Sequence, residues 1–149
     1  MTASPDLQPF IDLISADHGL AVLSVAGPDG RVHSSVVNAG VLDHPTAGTQ
    51  VVGVVVAGAA RKLTLLRDHP RAAATLRGGW RWASVEGPVE LIGPADPHPG
   101  IDADGLRRLL RAVFTSAGGT HDDWSTYDEV MRDERRTAVL ISPETIHAV

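Results

Sequence analysis

The chain contains no cysteine. That excludes a disulfide framework, a thiol nucleophile and any zinc site built on thiolates. Lysine is almost absent too: Lys62 is the only one, against twelve arginines. Aromatic residues are scarce, with three Trp, two Phe and one Tyr in 149 residues, so a tryptophan pair stands out. No apolar run approaches the roughly 20 residues needed to span a bilayer. The segment Met1-Thr2-Ala3-Ser4-Pro5-Asp6 lacks the basic and apolar regions of a signal peptide. A soluble cytoplasmic protein without a membrane partner is therefore expected. The formal net charge of −5 argues against nucleic acid as a main partner. Gly-x-Ser-x-Gly, Walker A and Gly-x-Gly-x-x-Gly motifs are all missing. The seven histidines show no pair at ligand spacing with a nearby carboxylate, so no metal site is expected. Asp102-x-Asp104-Gly105 has too few of the ligand positions of a calcium loop and reads better as a helix cap.

What is present suits a small β-rich domain. A hydrophobic content of 43% supports a core, and one domain over residues 1–149 should bury roughly 70% of its unfolded surface. Ser4-Pro5 followed by Leu7, Phe10, Ile11 and Ile14 predicts a helix that His18-Gly19 ends. Residues 20–26 and 31–42 predict two strands of a hairpin around Gly27-Pro28-Asp29-Gly30. In the second strand Val32, Ser34 and Val36 alternate with His33, Ser35 and Val37. The β-branched run 51–57 predicts a buried strand, and residues 61–69 a short helix that Pro70 stops. Residues 71–77 and 80–92 predict two further strands, joined through Gly78-Gly79. A helix from Asp102 or Asp104 to Ala117 and another from Asp122-Asp123 follow, the latter with Trp124, Tyr127, Val130 and Met131 spaced for burial. Strands at 137–142 and 145–149 finish the chain. Short strands with peripheral helices read as an α+β protein, mainly β, built on a small closed or split β-barrel.

Three groups of residues carry chemistry. Arg61 and Lys62 stand at the start of the short helix, where free backbone N–H groups and two cations make a seat for phosphate. Cations are disfavoured at that end of a helix dipole, which calls for an anion, although a surface pair can simply be solvated. Trp80 and Trp82 lie two apart after a Gly-Gly step and would share a strand face. They read either as walls for a flat ring or as core or interface aromatics. His33, Ser35 and Asn38 offer polar groups that could bond a heteroaromatic ring, or else belong to a solvated face.

Taken in order, these segments resemble the pyridoxamine 5′-phosphate oxidase-like split β-barrel family over roughly residues 7–149. The resemblance is nearest to the flavin/deazaflavin oxidoreductase branch of actinobacteria. It rests on Gly19-Leu20-Ala21-Val22-Leu23-Ser24-Val25, Asp29-Gly30-Arg31-x-His33-x-Ser35, and Arg61-Lys62 running into Leu66-Arg67-Asp68-His69-Pro70-Arg71-Ala72. Gly79-Trp80-Arg81-Trp82, Val85-Glu86-Gly87, His121-Asp122-Asp123-Trp124 and Asp133-Glu134-Arg135-Arg136 complete it. The resemblance implies a homodimer with cofactor sites at the subunit interface. The cofactor would be coenzyme F-420, a deazaflavin, or alternatively FMN. It implies that Lys62 and Arg61 hold the cofactor phosphate, and that Val55, Val56 and Ala57 lie along the ring with His33, Ser35, Val36 and Asn38. Trp80 and Trp82 would line the pocket. Relatives often carry a basic residue where this chain has Ala60, and Asn where it has Leu65. The implied activity is hydride transfer between the cofactor and a small unsaturated or aromatic substrate. The alternatives are an FMN-dependent oxidoreductase and a non-catalytic cofactor- or haem-binding protein. No catalytic residue is singled out. Arg31, Arg67, Arg71 and Arg77 are candidates for an acidic cofactor tail.

Overall fold

The computed structural model describes residues 5–149; Ser4, expected to open the first helix, lies outside them. Helix α1 (Gln8–Ile14) turns Phe10 fully inward. A 3₁₀ turn (Ser15–Asp17) prolongs it to His18 and Gly19, which both take left-handed backbone, φ 57° and 70°. A Cβ on Gly19 would lie 2.6 Å from the Ala117 carbonyl oxygen, so the close approach as well as the φ angle selects glycine.

Strands β1 (Leu20–Ala26) and β2 (Val32–Asp43) form the expected hairpin. Strand β3 (Gln50–Val56) leads through a tight turn into helix α2 (Arg61–Asp68). Strands β4 (Arg71–Gly78) and β5 (Arg81–Ile92) follow as a second hairpin. Helices α3 (Ala103–Ser116) and α4 (Trp124–Asp133) precede β6 (Thr137–Ile141) and β7 (Thr145–Ala148). Asp102 caps α3 by accepting from the Gly105 N–H at 2.7 Å, and Asp123 caps α4 through Thr126.

Six antiparallel strands close a barrel in the order β4-β1-β2-β3-β6-β5, with β5 pairing back to β4 and β7 added to β5. The expected split barrel with peripheral helices is what forms. Two long strands create the split by changing partners midway. Residues 32–38 of β2 pair with β1, whereas residues 39–43 pair with β3. On β5, residues 81–88 pair with β4 and residues 89–92 with β6. Leu23, Val54, Leu66, Ala74, Val85 and Ile141 fill the interior, joined by Leu7 and Phe10 from the N-terminal segment. Helix α3 lies outside, burying Leu109, Leu110 and Val113 against Val51, Ala138 and Leu140. It sits so close that a Cβ on Gly40 would meet Ser116 Oγ at 2.0 Å.

Two expectations need correction. Trp80 belongs to the turn, not to a strand, because Gly79 takes φ 61° and the ladder begins at Arg81. Val130 is 41% exposed, since α4 turns Tyr127 rather than Val130 inward. Among the described residues no helix is long and apolar enough to cross a membrane.

Candidate functional site

The partner change in β2 opens a wedge. The β2–β3 ladder ends at Ala39↔Val54, so residues 55–57 have no β2 partner on that edge, and residues 32–38 have partners only on the β1 side. Unpaired strand edges leave backbone donors and acceptors free for a ligand. Val56 is buried in the core and Val55 packs towards α3, so these residues, with Ala57, can present backbone rather than side chains.

His33 and Ser35 point to the inner side of β2, on the face of buried Val37, as the alternation predicted. Ser35 Oγ is buried and has no hydrogen-bond partner among the described residues. A buried hydroxyl without a protein partner is one that a bound water or a ligand atom can satisfy. Val36 and Asn38 point to the opposite face. Asn38 Nδ2 donates to the His18 carbonyl at 2.9 Å, which ties β2 to the turn before β1 and leaves the amide oxygen free to accept.

Helix α2 begins at the mouth of this wedge. Ala60 at its N-cap position supplies no side-chain cap, and its first turn has no acidic residue. The start of the helix therefore keeps free N–H groups and an uncompensated dipole, with Arg61 and Lys62 alongside. Lys62 is half-buried, and its pKa is lowered from 10.5, first by desolvation and second by the charge of Arg136. Arg136 arrives because the 57–60 turn is pressed against the 134–136 turn. The Gly58 N–H donates to the Glu134 carbonyl at 3.0 Å, and a Cβ on Gly58 would be 2.6 Å from the Arg135 carbonyl oxygen. Neither Arg61 nor Lys62 has a carboxylate within salt-bridge distance among the described residues. Arg136 is itself paired with Glu134, so the unmatched charges at this helix start are those of Arg61 and Lys62, which suit an anion. Arg136 was not picked out individually from the sequence; its one signal there is the Arg-Arg pair just before β6.

Within a single copy the predicted residues do not share one cavity. His33 and Arg61 line a polar pocket of about 330 Å³ with Arg31, Asp29 and Leu65. Val36, Trp80 and Trp82 line a broad groove of about 990 Å³ on the outer sheet face, with Leu20, Val22 and Arg77. Trp80 is 97% exposed and Val36 67%. One row of this face runs Val36, Val22, Thr75, Ser84 and His147 across five strands. The row itself is mixed, and the exposed apolar side chains are Leu20, Val22, Val36, Trp80 and Trp82 at one end of it, a grouping typical of interaction faces. Of the arginines expected near an acidic tail, Arg67 is held by Asp96 at 2.7 Å, and Arg71 by Glu86 at 2.6 Å and Glu144 at 2.8 Å. Arg31 and Arg77 have no carboxylate partner among the described residues. The two departures from the resembled pattern also find places: Leu65 is buried in the core and Ala60 sits at the N-cap position of α2.

The fold also gathers residues whose spacing hid them. His44 Nε2 lies 2.5 Å from Glu90 Oε1, and His98 Nε2 lies 3.6 Å from Glu90 Oε2. Each histidine uses Nδ1 to accept backbone N–H groups, from Thr46 and Ala47 for His44 and from Gly100 for His98. With Nδ1 accepting, the proton sits on Nε2, which then has no lone pair for a metal. This is a loop clamp, and the described residues hold no group of side chains suited to a metal ion. His121 and Trp124 join Phe114 and Tyr127 in an aromatic cluster, with the Arg111 guanidinium 5.1 Å from the Trp124 ring. They fasten α3 to α4 and lie outside the wedge.

No family profile and no curated protein matches this chain. Its fold is shared with solved structures. A conserved hypothetical protein of Mycobacterium tuberculosis superposes with a TM-score of 0.68 at 21% identity, over 97% of this chain and 84% of that one. An F-420 reductase gives 0.59 at 13% identity, over 91% and 94%. A protein of Listeria innocua assigned as a pyridoxamine 5′-phosphate oxidase gives 0.59 at 16%, over 97% and 98%. At these identities the likeness establishes the split-barrel architecture.

Proposed function

We propose that this chain is an oxidoreductase of the actinobacterial flavin/deazaflavin type, with residues 1–149 acting as one cytoplasmic domain. It would hold coenzyme F-420, or alternatively FMN, in the wedge between β2 and β3. The observation that carries this reading is the uncapped start of α2, where Arg61 and Lys62 stand beside free N–H groups at the open end of the split. The residues present fit such a cofactor on two counts. That cationic seat suits its phosphate, and the unpartnered Ser35 Oγ can bond a polar atom of its ring system. The fold of an F-420 reductase and of a pyridoxamine 5′-phosphate oxidase-type protein lends further support.

When bound, the cofactor supplies the hydride chemistry; the protein binds, orients and excludes water. Arg61 and Lys62 fix the phosphate. Ser35 and the free edges at residues 33–38 and 55–57 orient the ring. Trp80, Trp82 and Val36 lie on a face too exposed and apolar to remain bare, and they suit a second copy that would complete the pocket. The substrate class in this reading is small, flat and unsaturated, matching the apolar, aromatic side of the groove.

Fluorescence titration of the purified apo-protein with F-420 and with FMN in parallel tests the reading. Preference for F-420 supports the deazaflavin branch, and preference for FMN moves the chain to the flavin branch. Binding of neither removes the proposal and leaves only the fold. Bound, reduced cofactor that is never oxidised by a panel of quinones and enones would make the chain a carrier, not an enzyme.

A further inference from the structure

A second cavity of about 380 Å³ lies between α3, α4 and the segment 92–101, and Arg136, whose charge also acts on Lys62, is the one residue of the cationic seat that lines it. Its volume is in the range of small-molecule sites. Its apolar wall comes from Ile92, Leu106, Leu110 and Met131, and three arginines, 107, 132 and 136, stand around it. The walls are held in place independently of any ligand. Tyr127 Oη donates to the Leu110 carbonyl at 3.1 Å, and Asp128 of α4 binds Arg111 of α3 through two bonds, that from Nε being 2.9 Å. Asp128 also lines the cavity, but its charge is matched by Arg111 and, at 3.6 Å, by Arg107. Arg107 is held further by Asp104.

Asp102 also lines the cavity and is engaged as the cap of α3, so the free donors that face it belong to two arginines. Arg136 Nε and Nη2 both bond the same oxygen of Glu134, at 2.8 and 2.7 Å, which leaves its Nη1 donors free. Arg132 has no side-chain hydrogen bond or ion pair among the described residues. An apolar cleft with unmatched guanidinium donors at its rim is complementary to one kind of ligand, an apolar body ending in a single anionic group. Guanidinium and carboxylate match in shape as well as charge, through paired parallel hydrogen bonds. The body that fits has on the order of a dozen non-hydrogen atoms.

We propose that this cavity is a second ligand site, which binds a small amphipathic monocarboxylate with its chain against Leu106, Leu110 and Met131 and its carboxylate at Arg132 and Arg136. Arg136 is its one link with the proposed cofactor site, and its test needs no cofactor.

The chain has two methionines, Met1 and Met131, so ¹³C-methyl labelling of methionine gives one reporter inside the cavity and one far along the chain. Titration with octanoate should shift the Met131 methyl signal saturably and leave Met1 unmoved. 1-Octanol should bind at least fivefold more weakly, and the double variant Arg132→Gln/Arg136→Gln should remove that preference for octanoate. Leu106→Trp, which fills the cleft, should abolish the shift while the rest of the spectrum stays folded. No saturable Met131 shift at 10 mM octanoate in the wild type overturns the proposal, whatever the variants do. Equal affinity for octanoate and octanol overturns the anionic half of it.

Discussion

Replacing Ser35 by alanine should make the apo-protein more stable and its cofactor binding weaker, by the same amount. Ser35 Oγ is buried on the inner face of β2 with no partner among the described residues. A buried hydroxyl in that state costs about 1–3 kcal/mol relative to a solvated one. Removing it leaves a space the size of one oxygen atom, which offsets only about 0.5 kcal/mol of the gain. The net gain is therefore about 1–2 kcal/mol, and for a chain of this length the Tm should rise by roughly 3–6 °C. If the hydroxyl is unpartnered because it awaits the cofactor, binding satisfies it in the wild type and not in the variant. The dissociation constant should then rise by a factor of about 5–30, the equivalent of the same 1–2 kcal/mol. Thermal unfolding of the two apo-proteins and a cofactor titration of each give both numbers. A destabilised Ser35→Ala apo-protein refutes the premise that the hydroxyl is unsatisfied. A stabilised variant with unchanged affinity refutes its role in the site.

Lys62→Ala should weaken binding of a phosphate-bearing cofactor by about 1.5–3 kcal/mol, the scale of a charged hydrogen bond, read in the same titration; an unchanged dissociation constant takes Lys62 out of the site. Because burial and Arg136 lower the Lys62 pKa, the unfolded chain holds that proton more tightly just below pH 10.5. Its contribution therefore makes apo stability rise with pH there, and Lys62→Met should flatten that limb in pH-dependent urea titrations. Burial raises the Tyr127 hydroxyl from 10.0 to about 12. The stability it contributes is full below pH 10 and is lost as pH rises towards 12. Tyr127→Phe should remove that loss, at a cost of about 1 kcal/mol at neutral pH for the bond to Leu110. Gly40→Ala should destabilise by about 1–3 kcal/mol through overpacking against Ser116, lowering the urea midpoint at constant m.

The elements themselves were legible because each rests on local physics. The alternation at 32–37 placed His33 and Ser35 on one face and Val36 on the other, and side-chain period alone settles that in a strand. The Asp102 cap and the His18-Gly19 stop were readable for the same reason, since short-range sterics and hydrogen bonds decide them. That Arg61 and Lys62 open a helix was readable in the same way, from the β-branched run before them and Pro70 after them. Trp80 was misplaced by a single residue, because whether a Gly-Gly step ends one strand or opens the next depends on the register of the hairpin it joins.

Other features exist only once the chain closes. No spacing rule brings the charge of Arg136 to bear on Lys62, 74 positions apart; that follows from Gly58 accepting the close approach of the 134–136 turn. The orphaned state of Ser35 Oγ depends on every group around it. So does the joining of His44, Glu90 and His98, which belong to three separate segments. The wedge arises because β2 is long enough to serve two neighbours, and the point where it changes from one to the other is fixed by barrel closure. The sequence thus determined which strands and helices form and, apart from Val130 on α4, which faces they turn inward, since those choices are made over a few residues at a time. The tertiary structure decided which charges meet and which hydrogen-bonding groups are left free, because those depend on residues brought together from opposite ends of the chain.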